Sequence, residues 1–316
     1  VLSYLEINKM DLQIVKVILT SFLLFIGGNF FGQEVNREQI NSGSGSFLMQ
    51  GGFNHEKDSI EVHYYKPQDY RSNFSVIIVI PGGGRNGDGY RDKWIDLAEK
   101  YNLLVLSPSY SKKQYPKVKD YNLGRLSKSS LVNGTSQKGL VKEEWIFDDF
   151  DRIFDTAVEI VGSTEKNYDI FGHSAGGQIA HRLVLFNPNT KANRIVAANS
   201  GWYTLPSFST KFPYGLKKTA ITKENLIKSF SSNLVILIGE LDNENETRGH
   251  LRNTREAKVQ GSGRFSRGNF FYEAAIQESK QLDCGFLWKK KTINRVGHSS
   301  TKMSIAAAEY LYSTNN

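Results

Sequence analysis

Short apolar runs rich in β-branched residues recur along the chain, at residues 75–80, 103–106, 168–171, 195–198 and 234–238, with a weaker run near 292–294. These runs lack polar alternation, which predicts strands covered on both faces, as in a parallel sheet. Between them apolar residues return every three or four positions, predicting helices over about 91–101, 143–161, 177–186, 269–281 and 301–312. Strand and helix therefore alternate, and the expected fold is α/β with right-handed crossovers. Ahead of this series, alternation over 59–65 predicts an antiparallel hairpin strand, preceded by a polar Ser/Gly segment at 41–46. No long-period repeat and no proline-rich linker divides the chain, so residues 33–316 are expected to form a single catalytic-sized domain.

The amino-terminal stretch breaks this pattern. Residues 17–33 carry no charge, are mostly apolar and follow Lys9 and Lys16. That is the basic-then-apolar order of an export signal. The apolar core before Gly27 spans about a dozen residues, whereas a membrane-spanning helix needs about 20. Residues 1–32 are thus expected to be a cleaved signal peptide, cut near Gly28 or after Gly32, leaving a secreted or periplasmic protein without a stable membrane anchor.

Composition narrows the class further. With 316 residues, 39% apolar and 23% charged, the chain can bury a sizeable core. One cysteine, Cys284, excludes an internal disulfide, a multi-cysteine zinc site and a disulfide-dense scaffold. Forty Lys and Arg against 32 Asp and Glu give +8, and removing residues 1–32 deletes two charges of each sign, so the excess belongs to the folded part. A basic surface suits anionic partners but is also ordinary for soluble enzymes, and no nucleic-acid partner is expected.

The chemistry centres on Gly172-His173-Ser174-Ala175-Gly176, which follows a predicted strand directly and opens a predicted helix. Such a tight strand-to-helix turn holds a serine in strained backbone geometry and leaves its hydroxyl at the carboxyl edge of the sheet. A serine alcohol needs a base, and with a nucleophile on this turn the chain order is Ser, then Asp or Glu, then His. Two histidines qualify: His250 in a polar loop, and His298 between the last strand-like run and the terminal helix, which is the better placed. The orienting acid is expected just past the run at 234–238, where Glu240, Asp242 and Glu244 lie within five residues; Asp242 is favoured as lying beyond the turn. Backbone donors for a developing oxyanion are expected from Gly83 or Gly84, in the Pro81-Gly82-Gly83-Gly84 turn, together with Ala175. That turn lacks the Gly-Lys-Ser/Thr ending of a nucleotide-phosphate loop.

On these residues the chain resembles the α/β-hydrolase family over roughly 75–312. The resemblance implies a mostly parallel eight-stranded sheet flanked by helices, with Ser174 as nucleophile, Asp242 as acid and His298 as base. It makes Gly82-Gly83-Gly84 the counterpart of the family's His-Gly-Gly-Gly loop, with Pro81 in the histidine's place. Residues 254–261, with Arg264, Arg267-Gly268 and Phe270-Phe271, are similar to a segment of secreted bacterial hydrolases near the polyhydroxybutyrate-depolymerase-like and feruloyl-esterase-like groups.

The expected activity is carboxylic ester hydrolysis on a small-molecule or polymeric ester, with no metal or organic cofactor. A peptidase on the same fold and a silent binding protein are the alternatives. Trp202 and Tyr203, after the run at 195–198, are expected either to wall the substrate site or to cap the core. A basic segment at 111–142, with Lys112, Lys113, Lys117, Lys119, Arg125, Lys128, Lys138 and Lys142 against Asp120 alone, is either part of the substrate rim or a solvated loop.

Overall fold

The computed structural model describes residues 39–52, 55–126 and 145–313. The expected signal peptide and Lys128, Lys138 and Lys142 lie outside them. Chain order is β1 (Gly43–Gln50), β2 (Ser59–Lys66), β3 (Ser75–Ile80), α1 (Gly87–Asp92), α2 (Ile95–Tyr101), β4 (Leu103–Ser109), α3 (Ile146–Val161), β5 (Tyr168–His173), α4 (Ala175–Phe186), β6 (Ala192–Ala198), α5 (Lys223–Phe230), β7 (Asn233–Gly239), α6 (Arg255–Val259), α7 (Arg264–Gln281), β8 (Lys289–Ile293) and α8 (Ser300–Tyr312).

The strands form one eight-stranded sheet in the order β1-β2-β4-β3-β5-β6-β7-β8. The β1–β2 and β2–β4 pairs are antiparallel, and every pair from β4 to β8 is parallel. Successive side chains of the central strands enter opposite layers, as the pleat requires. Val76, Ile78, Ile80, Ile170, Ile236 and Ile238 pack under α3, α4, α5 and α7, with Phe150, Ile179, Phe230 and Phe271 among the helix contributions. Ile77, Val79, Val105, Phe171, Val235 and Leu237 face the other way, onto Trp94, Leu97, Met303, Ala307 and Leu311. Two covered faces explain why these runs show no polar alternation.

Several elements depart from expectation, for local reasons. The polar Ser/Gly segment is the start of β1, an edge strand in which Phe47 alone is buried, so its sequence carries little apolar signal. Strand β8 begins at Lys289, three residues before the expected run, because its Lys-Lys-Lys opening lines the other edge of the sheet, where charge discourages further strand pairing. Helix α7 begins at Arg264 rather than near 269: its first turn buries Arg264 and Arg267 instead of apolar side chains, which hides the periodicity. The short helix α5 was not expected; Thr222 caps it by accepting from the Asn225 amide at 3.2 Å. Among the described residues, no helix is long and apolar enough to cross a membrane.

Helix α8 is pinned to the sheet by a charged cluster. Arg194 on β6 donates to Asp169 on β5 through Nε at 3.0 Å and Nη2 at 2.5 Å, and the Tyr312 hydroxyl donates to the same carboxylate at 2.8 Å. This fixes the element that follows His298. The sheet thereby delivers four loops to one edge, after β3, β5, β7 and β8, which is where ligands of open α/β sheets bind.

Candidate active site

Ser174 occupies the turn between β5 and α4 with φ +57° and ψ −110°. This left-handed conformation is unfavourable for a residue with a Cβ, and it is held by the Ser174 amide donating to the Ala198 carbonyl at 2.9 Å. Gly176 is required here, since a Cβ on it would lie 2.1 Å from the Ile80 carbonyl oxygen on the neighbouring strand. Close packing of the turn against β3 is what lifts the serine to the sheet edge.

His298 reaches Ser174 from the β8–α8 loop, its Nε2 lying 3.1 Å from Ser174 Oγ. Its Nδ1 lies 2.6 Å from Oδ2 of Asp242, just past β7. An ionised carboxylate only accepts, so Nδ1 carries the proton toward Asp242 and Nε2 is left free to accept from the serine hydroxyl. Asp242 is fully buried, and its second oxygen accepts from Arg264 Nη1 at 2.9 Å. Of the other carboxylates considered for this position, Glu240 is exposed and accepts from the Arg295 amide at 2.8 Å, and Glu244 is exposed. His250 is exposed as well.

The glycine turn after β3 runs beside the nucleophile. A Cβ on Gly82 would lie 3.6 Å from Cβ of Ser174 and 2.6 Å from the Tyr90 hydroxyl. The Gly82 amide faces that hydroxyl, whereas Gly83 is exposed with open space around its α-carbon and Gly84 is exposed. Ala175 is buried as the first residue of α4. The turn is held from behind by the Tyr121 hydroxyl donating to the Pro81 carbonyl at 2.5 Å. Arg85 closes it, its backbone amide donating to the Gly82 carbonyl at 3.0 Å, and its guanidinium stacks 4.7 Å from the Tyr121 ring centroid.

Three participants were not legible in the sequence. Arg264 is one, Glu246 the second: its carboxylate accepts from the His298 amide at 2.7 Å and from Arg248 Nη2 at 2.5 Å. The Arg248 guanidinium holds the Glu246 carboxyl well below the usual carboxylate range. His173 is the third, the motif residue immediately before the serine. It is buried, lies 4.6 Å from the His298 ring between centroids, and shares a 3.1 Å hydrogen bond with the Tyr90 hydroxyl. Burial, then the positive groups nearby, push its pKa well below the ordinary value, so it is neutral at pH 7. Only the Gly-His-Ser-Ala-Gly motif flagged its neighbourhood, and the other two touch the site across long sequence separations.

Trp202 and Tyr203 lie inside the protein, 2% and 0% exposed. Trp202 sits between Arg182 at 4.2 Å and Arg252 at 5.0 Å, and Tyr203 stacks on Phe271 at 4.5 Å. Both are therefore enclosed by neighbouring side chains instead of forming an open wall. Tyr110, Tyr115 and Tyr121 of the basic segment are likewise fully buried, while Lys112, Lys113, Lys117 and Lys119 are exposed.

Neither a protein-family model nor a curated protein matches the sequence. Solved structures do match, and they define the class: the chain belongs to the α/β-hydrolase family of serine hydrolases. Poly(aspartic acid) hydrolase-1 from Sphingomonas sp. KT-1 is 37% identical with a TM-score of 0.79, covering 87% of this chain and 100% of that one. LpqC, a poly(3-hydroxybutyrate) depolymerase from Bordetella parapertussis, is 29% identical at a TM-score of 0.79, over 86% of this chain and 90% of its own. An S-formylglutathione hydrolase from Agrobacterium tumefaciens shares the fold at 16% identity and a TM-score of 0.51, covering 87% of this chain and 96% of that one.

Proposed function

We propose that the protein hydrolyses carboxylic esters through an acyl-enzyme on Ser174. The observation that carries this reading is the continuous line from Ser174 Oγ through His298 to buried Asp242, at 3.1 and 2.6 Å. Ser174 Oγ attacks the ester carbonyl as His298 Nε2 takes its proton, and the carbonyl oxygen becomes the oxyanion. The amides of Ala175 and of Gly83 or Gly84 stabilise that charge. Collapse breaks the bond to the alcohol oxygen, which leaves with the proton from His298. Water then repeats the attack and releases the acid, regenerating the serine. Asp242 keeps the imidazole in the required tautomer and stabilises its cationic form.

A second reading is amide cleavage in a polyamide. It draws on the 37% identity to a poly(aspartic acid) hydrolase, since the same three groups serve acyl transfer from an amine leaving group. Ester hydrolysis leads because an alkoxide departs more readily than an amine. Comparing turnover on matched ester and amide derivatives of one acyl group separates them.

Ser174→Ala tests the mechanism itself. Native circular dichroism with turnover reduced about 10⁴-fold or more, and loss of labelling by an active-serine phosphonate, is the expected outcome. Parent-level hydrolysis by the variant removes Ser174 as nucleophile, and a parent that hydrolyses no ester or amide makes the chain a binding protein. We also take residues 1–32 as an export signal on the strength of the uncharged apolar run at 17–33. Retention of the full-length chain in the cytoplasm would remove that assignment.

A further inference from the structure

A second feature of the same sheet edge is a pocket of about 450 Å3 lined by Leu251, Asn253, Lys258, Ser262 and Arg267. These side chains comprise two cations, two neutral hydrogen-bonding groups and one aliphatic residue, with no carboxylate. Arg267 is 1% exposed and forms the floor. Its guanidinium donates to the carbonyls of Gly261 at 2.9 Å, Gly201 at 2.7 Å and Arg252 at 2.9 Å, so among the described residues a buried positive charge is hydrogen-bonded by carbonyl dipoles. A buried cation without a carboxylate partner is costly, and its field remains available to an incoming anion. Arg252, beside Trp202, donates to the Tyr214 hydroxyl at 2.6 Å and adds to that field.

The pocket adjoins the reacting centre. A Cβ on Gly249 would lie 3.0 Å from His298 Nε2. Leu251 follows two residues later, a distance of at most about 7 Å along extended chain.

We propose that this pocket is a carboxylate subsite, which receives an anionic group carried by the substrate a few bonds from the scissile acyl bond. Lys258 is exposed and pairs with the carboxylate, Asn253 and Ser262 donate hydrogen bonds to it, Arg267 supplies charge from below, and Leu251 packs against the intervening methylenes. The substrate class is accordingly an ester of a carboxylate-bearing acid or an anionic polymer. This assignment rests on Ser174 as the nucleophile.

The test compares the mono-p-nitrophenyl ester of suberic acid with p-nitrophenyl octanoate, which match in length and differ in the terminal carboxylate. The parent is expected to favour the suberate ester through a lower KM. Lys258→Glu should lower kcat/KM for the suberate ester about tenfold while leaving octanoate within about twofold, because reversing one partly exposed charge both removes an attraction and adds a repulsion. Asn253→Asp, at a second exposed position, should act in the same direction, and added salt should shrink both effects. Equal changes on the two esters, no change on either, or a parent preference for octanoate that Lys258→Glu leaves untouched overturns the subsite. Failure of the parent on both esters would instead count against ester hydrolysis, so the two readings fail separately.

Discussion

Asp242 is held by two donors of different kinds, and the difference sets its role. His298 binds one carboxylate oxygen and Arg264 the other, with all three side chains nearly or fully removed from water. The Arg264 guanidinium, bonded to the oxygen that His298 does not use, fixes the carboxylate against rotation away from Nδ1. Removing only the charge should therefore be severe: Asp242→Asn is expected to lower kcat by about 10⁴, because the amide no longer requires the Nδ1–H tautomer. Glu240→Gln and Glu244→Gln should cost far less, since both carboxylates are exposed and neither reaches the imidazole. Steady-state kinetics on the three variants ranks them, and a larger loss at Glu240 or Glu244 would transfer the role.

At the scale of elements, the loops of the site are positioned by contacts from behind. The turn after β3 depends on the Tyr121 hydroxyl, which donates to the Pro81 carbonyl in a fully buried position. Tyr121→Phe removes one buried hydrogen bond of about 1 kcal/mol and leaves a buried acceptor unpaired. The expected result is a several-fold lower kcat with KM little changed, as the turn's amides matter most when the oxyanion forms; a change confined to KM would mean that the turn binds substrate instead.

The loop before β2 meets α3 by a different device, through the buried Tyr110 and Tyr115 rings, whose centroids lie 5.0 Å apart. His55 lies 3.2 Å from the Tyr115 hydroxyl through Nδ1, and its Nε2 accepts from the Gly52 amide at 2.9 Å, while Asp149 accepts from Arg152 at 2.7 Å and from the Tyr110 hydroxyl at 3.2 Å. Although His55 Nε2 is 3.9 Å from Asp149, its accepting role marks it as neutral and the approach as no ion pair. Burial lowers His55 to about 4, and burial raises Asp149 to about 7. For His55 the unfolded chain takes the proton first, so its contribution to stability is lost as pH falls from about 6.5 to about 4. For Asp149 the native state holds the proton longer, so its contribution is lost as pH rises from about 3.8 to about 7. Urea midpoints measured against pH should accordingly lose less stability toward acid in His55→Gln and less toward neutrality in Asp149→Asn, relative to the parent; parallel curves would contradict the assignment.

For the whole molecule, the relevant quantity is the +8 excess and where it lies. Arg85 follows the glycine turn directly and donates to the Lys117 carbonyl at 3.5 Å, so the exposed lysines around 112–119 border that turn while the tyrosines among them face the core. Their charges act within about 8 to 10 Å at ordinary salt. Reversing Lys112, Lys113, Lys117 and Lys119 to Glu should raise KM for a polyanionic substrate several-fold at low salt, leave kcat and neutral esters unchanged, and lose its effect at high salt. An effect on neutral and anionic substrates alike would make the segment structural.

The sequence by itself determined the α/β alternation and the strand-to-helix turn at Ser174, and it narrowed the serine's partners to Glu240, Asp242 or Glu244 and to His250 or His298. Each is written locally, in apolar runs without alternation, in a glycine-flanked serine and in residues just past strand ends. Edge strand β1, the lysine opening of β8 and the first turn of α7 were hidden because solvent or buried arginines replace the apolar pattern. Arg264, Glu246 and His173 acquire their places only when β5, β7, β8 and α7 converge on one sheet edge. Whether an aromatic lines a site or fills a core is likewise decided there: Trp202 and Tyr203 are enclosed by side chains from distant parts of the chain. Periodicity records which face of an element is buried, but not which distant side chain buries it, and that pairing exists only in the folded chain.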